Sequence, residues 1–259
     1  MKYSAPPRVY YKTQKTTIMT TLARITITLI LAILFSSCGF DINIGPGKKG
    51  NGIVEEEKRR VTSDFTAISV SEGLDAYVTQ GNEFEIIVEA DENIIGLIGT
   101  DIKNGTLRIH AIENIGRATK SIYVTLPVIT GLETSSGAAL STKNTIEAEN
   151  IELSSSSGSN LQIEELKAYN VIAESSSGAH IRVAGETETF NGSASSGSGI
   201  KAENLSSANC SASASSGAGI TVNASESLIA KASSGGEIRY TGNAKVEHQK
   251  SSSGSVSAL

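Results

Sequence analysis

Along the C-terminal half of the chain, apolar residues recur at odd distances from a glycine that returns about every 20 residues. The glycines are Gly137, Gly158, Gly178, Gly197, Gly217, Gly235 and Gly254, at steps of 21, 20, 19, 20, 18 and 19. Three residues after the glycine stand Leu140, Leu161, Ile181, Ile200, Ile220 and Ile238. Five before it stand Leu132, Leu153, Ala173, Gly192, Ala212 and Ala230; seven before it, Ile151, Val171, Phe190, Cys210 and Leu228. The residue just after the glycine is always small, from Ala138 and Ser159 to Ser255. Even offsets carry Glu133, Glu152, Asn160, Glu174, His180, Lys231 and Glu237. Odd-in, even-out alternation marks a β-strand with one buried face. A constant long period marks a solenoid, each repeat one coil stacked on the last.

Each repeat therefore reads as a strand of about eight to twelve residues that bends near the glycine, followed by a loop. The fold expected is all-β: a parallel β-helix, right-handed, with coils of about 20 residues. Coils about 4.8 Å apart make a rod on the order of 30 Å long. Two serines precede every glycine. On this register the first serine of each triplet (Ser135, Ser156, Ser176, Ser195, Ser215, Ser233 and Ser252) faces out. The second (Ser136, Ser157, Ser177, Ser196, Ser216, Ser234 and Ser253) faces in, where its hydroxyl needs a partner. A leucine-rich repeat needs a Leu-x-x-Leu-x-Leu spacing that is absent, and calcium-binding rolls need Gly-Gly-x-Gly-x-Asp. A flexible Ser/Gly linker would not hold Ile or Leu at one offset through six copies.

Upstream, Leu22 to Phe35 is an apolar run preceded by positive charge and followed by Ser36-Ser37-Cys38-Gly39. That pattern reads as a signal peptide over residues 1–37, with Met19 as an alternative start, and Cys38 as the lipidated first residue of the mature chain. Residues 38–60, rich in glycine and ending in Glu55-Glu56-Glu57-Lys58-Arg59-Arg60, read as a flexible tether. The head domain is expected over 61–259. Its portion 61–130 forms irregular N-terminal coils that close the tube, and 131–259 the regular ones. The last coil places Glu247 and Gln249 at inward offsets and lets Val256 slip by one, a polar cap at the C-terminal end.

Charge and composition narrow the chemistry. The net charge is −5, and Lys2, Arg8, Lys12, Lys15 and Arg24 all precede Cys38 with no acid among them, so cleavage there makes it −10. Nucleic acid is excluded as a partner on that balance. Cys38 and Cys210 do not form a pair; Cys210 falls on an inward apolar offset, where a cysteine acts as a small hydrophobe. His110, His180 and His248 lack metal-ligand spacing, and no Gly-x-Ser-x-Gly elbow precedes a helix. No catalytic residue, metal site or cofactor is expected. The different-class alternative is a carbohydrate-active enzyme, a polysaccharide lyase or hydrolase on a β-helix.

Several strings in order carry a resemblance. After the lipoprotein signal come Phe65-Thr66-Ala67-Ile68-Ser69-Val70 and Asp75-Ala76-Tyr77-Val78-Thr79-Gln80-Gly81. Asn104-Gly105-Thr106-Leu107-Arg108-Ile109 and Tyr123-Val124-Thr125-Leu126-Pro127 follow, then the Ser-Gly coils. Over residues 50–259 this resembles the auto-transporter adhesin head GIN domain family, common in Bacteroidetes. The resemblance implies a β-helical fold and a cell-envelope location, and it supplies no catalytic residues. The function expected is a noncatalytic, adhesin-like or scaffolding module held to the outer membrane by its lipid, with envelope or host glycans or proteins as partners. Its candidate ligand row is the set of first serines, Ser135 to Ser252.

Overall fold

The computed structural model describes residues 3, 45–250 and 253–259. The signal segment and Cys38 lie outside the described residues. Residues 45–259 form one compact unit. Its strands are β1 (Val54–Lys58), β2 (Ala67–Val70), β3 (Asp75–Gln80), β4 (Glu85–Asp91), β5 (Ile98–Lys103), β6 (Thr106–Ala111) and β7 (Lys120–Leu126). Next come β8 (Gly131–Thr134), β9 (Ala139–Thr142), β10 (Ile146–Ser155), β11 (Asn160–Ser175), β12 (His180–Ala194) and β13 (Gly199–Ala214). The last four are β14 (Gly219–Ala232), β15 (Glu237–Thr241), β16 (Lys245–Lys250) and β17 (Ser255–Ala258).

The result is the β-solenoid that the period requires, with about 6 turns and parallel bridges about 20 residues apart. Strands β10 to β14 pair in parallel, each with the next, and carry like residues in register. One buried column runs Leu140, Leu161, Ile181, Ile200, Ile220 and Ile238, and ends in the half-buried Val256. Another runs Ile151, Val171, Phe190, Cys210 and Leu228, and ends in the half-buried Val246. Volumes are exchanged within a coil. Gly192 lies against the Phe190 ring, which comes within 2.7 Å of where a glycine Cβ would stand. The strands are longer than eight to twelve residues, up to 16 in β11 and β13. They bend at register shifts between Ile163 and Leu166, Arg182 and Ala184, and Ala202 and Ser206. Bulges of this kind absorb extra residues and turn a strand at a corner.

The N-terminal end is closed by antiparallel pairing. Strand β4 lies antiparallel to β7, β1 antiparallel to β4, and β5 forms a hairpin with β6. The hairpin turns through Asn104-Gly105, both with positive φ, as a two-residue I′ turn demands. Stack order departs from chain order here. Strand β2 pairs with both β6 and β8, and β3 with both β7 and β9, so the first coil made lies between two coils made later.

Residues 45–60 are not a flexible tether. The Lys48 amide donates to the Asn114 carbonyl at 2.9 Å, Gly50 to Arg117 at 3.0 Å, and β1 pairs along β4. The buried Asp91 carboxylate ties this strap down by accepting from the amides of Gly52 and Thr119. Gly50 has no room for a side chain beside that carboxylate. The charge run Glu55-Glu56-Glu57 is exposed as expected, but it is an edge strand held by its backbone.

At the other end, β16 pairs with β14 so that Val246 meets Leu228 and His248 meets Ala230. His248, rather than Glu247 and Gln249, takes the inward column, and it is exposed. Val256 does not slip: it pairs with Ile238. It is Gly254 that is displaced. A Cβ there would meet the Ala232 carbonyl, as one at Gly236 would meet that of Ala214, so Gly254 occupies the place after the turn glycine.

Candidate functional site

Each Ser-Ser-Gly is a tight turn, and the turn decides which hydroxyl faces solvent. The Ala138 amide donates to the Ser135 carbonyl at 3.1 Å, closing a four-residue loop whose central pair, Ser136 and Gly137, has φ of 50° and 72°. Two consecutive positive φ values are the type I′ pattern. Ser157, Ser177, Ser196, Ser216 and Ser234 repeat it with φ between 51° and 55°. A left-handed serine costs about 1–2 kcal/mol, and a backbone ladder holds it. The amides of Gly73, Gly137, Gly158, Gly178, Gly197 and Gly217 donate to the carbonyls of Ser136, Ser157, Ser177, Ser196, Ser216 and Ser234 at 3.0–3.1 Å. Gly73 shows that the turn row starts earlier than the triplets do. Ser71-Glu72-Gly73 makes the same turn, with φ of 61° and 66° at its centre.

The second serine therefore points outward, not inward. Ser136, Ser157, Ser177, Ser196, Ser216 and Ser234 are exposed, whereas Ser135, Ser156, Ser176, Ser195, Ser215 and Ser233 are half-buried behind them. Ser252 lies outside the described residues. Buried hydroxyls do exist, but on either side of the turn. Thr134, Ser155 and Ser159 form a closed triangle at 2.9–3.0 Å, and Ser159 Oγ donates to the Ser156 carbonyl at 2.7 Å. Ser175 Oγ donates to the Ala179 carbonyl and Ser198 Oγ to that of Ser175. Their satisfied bonds are what makes burial of a hydroxyl affordable in the tube.

The other residues singled out from the sequence stay apart. His110 sits in β6 with Nε2 3.5 Å from an Asp101 carboxylate oxygen, His180 on the outer face of β12, and His248 on the terminal coil. Among the described residues, no group of three His, Cys, Asp or Glu is placed to hold a metal ion. Cys210 is buried between Phe190 and Leu228, and burial pushes its thiol up to about 12 against a weaker opposing bond from Ser207. The unfolded chain releases this proton near pH 9, whereas the native state keeps it. The thiol's contribution is thus fully present below pH 9 and lost as pH rises toward 12, by about 1.4 kcal/mol per pH unit. Thermal melts between pH 8 and 11 are expected to show that slope, and Cys210→Ala to flatten it.

Sequence reading missed the outward column four places after the glycine: Gln162, Arg182, Lys201, Thr221 and Arg239 stand in register. The same alignment that revealed the apolar offsets contains it. A groove of about 330 Å³ follows this column, lined by Asn160, Gln162, His180, Arg182 and Lys201. A larger one of about 660 Å³ lies over the bulged corner, where Lys167 is already within 4.0 Å of Glu186.

Solved structures share the fold. A putative adhesin from Bacteroides fragilis superposes with a TM-score of 0.75 at 21% identity, over 82% of this chain and 100% of its own. A putative adhesin from Parabacteroides distasonis gives 0.67 at 18%, over 82% and 99%. A putative lipid binding protein from the same species gives 0.65 at 19%, over 82% and 99%. Among curated proteins, none matches the chain. The family described as "Putative auto-transporter adhesin, head GIN domain" matches residues 64–244, from the first coil to the last regular one. The chain belongs to that family.

Proposed function

We propose that this protein is a noncatalytic, adhesin-like binding module of the cell envelope, anchored through lipid on Cys38 to the outer membrane. The observation that carries the reading is the turn edge. Six exposed serines, Ser136 to Ser234, recur one per coil, each held by a backbone bond to the neighbouring turn. Such an edge offers hydroxyl donors and acceptors on a row of turns whose backbone is already ordered, so little backbone entropy is left to lose on binding. A glycan presents the complementary chemistry, a regular series of hydroxyls. Family membership supports binding rather than turnover, and the Ser36-Ser37-Cys38-Gly39 string supports the anchor.

The test uses the full chain purified in detergent and isolated envelope polysaccharide. Ser157→Ala, Ser177→Ala and Ser196→Ala together are expected to weaken binding at least tenfold, with an unchanged melting temperature. The half-buried set Ser156→Ala, Ser176→Ala and Ser195→Ala should have a smaller effect. Equal binding by the wild type and the exposed-row variant overturns the assignment. Shortening of the polysaccharide by the wild type would instead favour a lyase or hydrolase on the same coil.

A further inference from the structure

We infer that the groove along Gln162, Arg182 and Lys201 is a second binding site, for the acidic groups of a linear polysaccharide lying along the rod. Arg182 and Lys201 are direct partners in adjacent parallel strands, both exposed. Like charges placed side by side on a sheet repel, and among the described residues neither cation has a carboxylate within ion-pair distance. The contrast with the rest of the column is sharp. Arg239, two coils on, is engaged by Glu237 at 2.8 Å. Lys143, in the neighbouring file, lies 4.1 Å from the centre of the Tyr77 ring, which itself stacks on Tyr123 at 5.2 Å. Those groups are occupied within the chain, and the Arg182–Lys201 pair is left for an anion from outside.

The surroundings define the class of that anion. The adjacent outward file reads Asn160, His180, Gly199, Gly219 in register. The two glycines add no side chain of their own, and the space over Gly219 is open. The His180 imidazole lies over Gly199, its Nδ1 2.8 Å from where a Cβ would stand. Amide and hydroxyl groups flank the cations along the axis: Asn160 and Gln162 on one side, Thr221 on the other. The Gln162 amide is steadied by the Glu164 carboxylate, to which it donates. A single file of cations and polar groups repeating about every 4.8 Å suits a chain of sugar rings bearing carboxylates or sulfates. It does not suit a membrane surface, because no large apolar side chain flanks the cations in these two files, nor single-stranded nucleic acid, because no Phe, Tyr or Trp stands in them to stack on a base. The site uses a different part of the coil from the serine edge, so it stands whether or not that edge binds.

The test is calorimetric titration of the full chain with hexameric oligogalacturonate, with maltohexaose as the neutral control and polyphosphate as the phosphate source. Oligogalacturonate is expected to bind, with affinity falling as salt rises, and maltohexaose to bind at least tenfold more weakly. Arg182→Gln with Lys201→Gln should lower oligogalacturonate affinity tenfold or more without moving the melting temperature. Arg182→Lys with Lys201→Arg should keep most of it, which a merely structural role would not explain. The inference is overturned if oligogalacturonate fails to bind, if the double glutamine variant binds as well as wild type, or if polyphosphate alone binds.

Discussion

Gly185→Ala is expected to be the most damaging small substitution in the rod. The residue has φ of 125°, outside the range open to L side chains, and a Cβ there would stand 2.0 Å from the Leu166 carbonyl oxygen of the preceding coil. That atom belongs to the backbone and pairs directly with Gly185, so it cannot move aside without breaking the stack. Strain and clash together are expected to cost about 3 kcal/mol or more. In a domain of this size, that corresponds to a fall of about 6–12 °C in melting temperature. Gly137→Ala is the control. Its φ is also positive, at 72°, but nothing lies within 4 Å of the new Cβ, so only the conformational cost of about 1 kcal/mol applies. Equal melting temperatures for the two variants would show that close approach of coils is not what requires Gly185.

A second large effect is expected from shortening the chain, and its size depends on where the cut falls. Deleting residues 179–197 joins Gly178 to Ser198, the residue that stands where Ala179 stood, and so removes one whole coil. Each coil touches chiefly its neighbours, so the stack should close with a change in melting temperature under about 5 °C. Deleting Asn191 alone should do far more harm. It lies in the regular part of β12, between inward Phe190 and Gly192, and a slip of one residue turns every inward side chain of that segment outward. Exposing Phe190 alone forfeits about 2–3 kcal/mol. Removing Glu203, at the register shift between Ala202 and Ser206, should be tolerated better, because the corner absorbs such changes. Melting curves and limited proteolysis of the three deletions check the order.

The same corners explain why steps of 18 to 21 residues keep the apolar columns aligned, and why those columns were readable from the sequence. The serines were not, for a geometric reason. A type I′ turn inserts two left-handed residues between inward positions three before and one after the glycine. Both offsets are odd, so period-2 counting passes through the turn unbroken and assigns Ser136, one before, to the interior. The first turn, Ser71-Glu72-Gly73, escaped notice because glutamate replaces the second serine, which at an exposed position costs nothing. The cap was not readable either. Whether β4 runs antiparallel on β7, and whether β2 lies between β6 and β8, is settled by pairings many residues apart that leave no local pattern. Strand β1, exposed along its length, has the composition of a solvated tether and is ordered by its backbone bonds to β4 and by the Lys58–Glu85 ion pair across the two strands.

The interposed first coil sets the order in which the rod can become complete. From β10 to β14, each strand finds its partner about one coil away in sequence, so closing each contact costs little chain entropy. Strands β2 and β3 have no neighbour on either flank until β6 to β9 have been made. The first coil, made before β6 to β9, therefore stays uncovered on both flanks until the chain has been made as far as Thr142. Until then its apolar residues, Ile68, Val70, Ala76 and Val78 among them, stay exposed on two unpaired edges. Such edges are sites where strands from other molecules can add. The regular coils close through local contacts, and the first coil is where a chaperone would have most to protect.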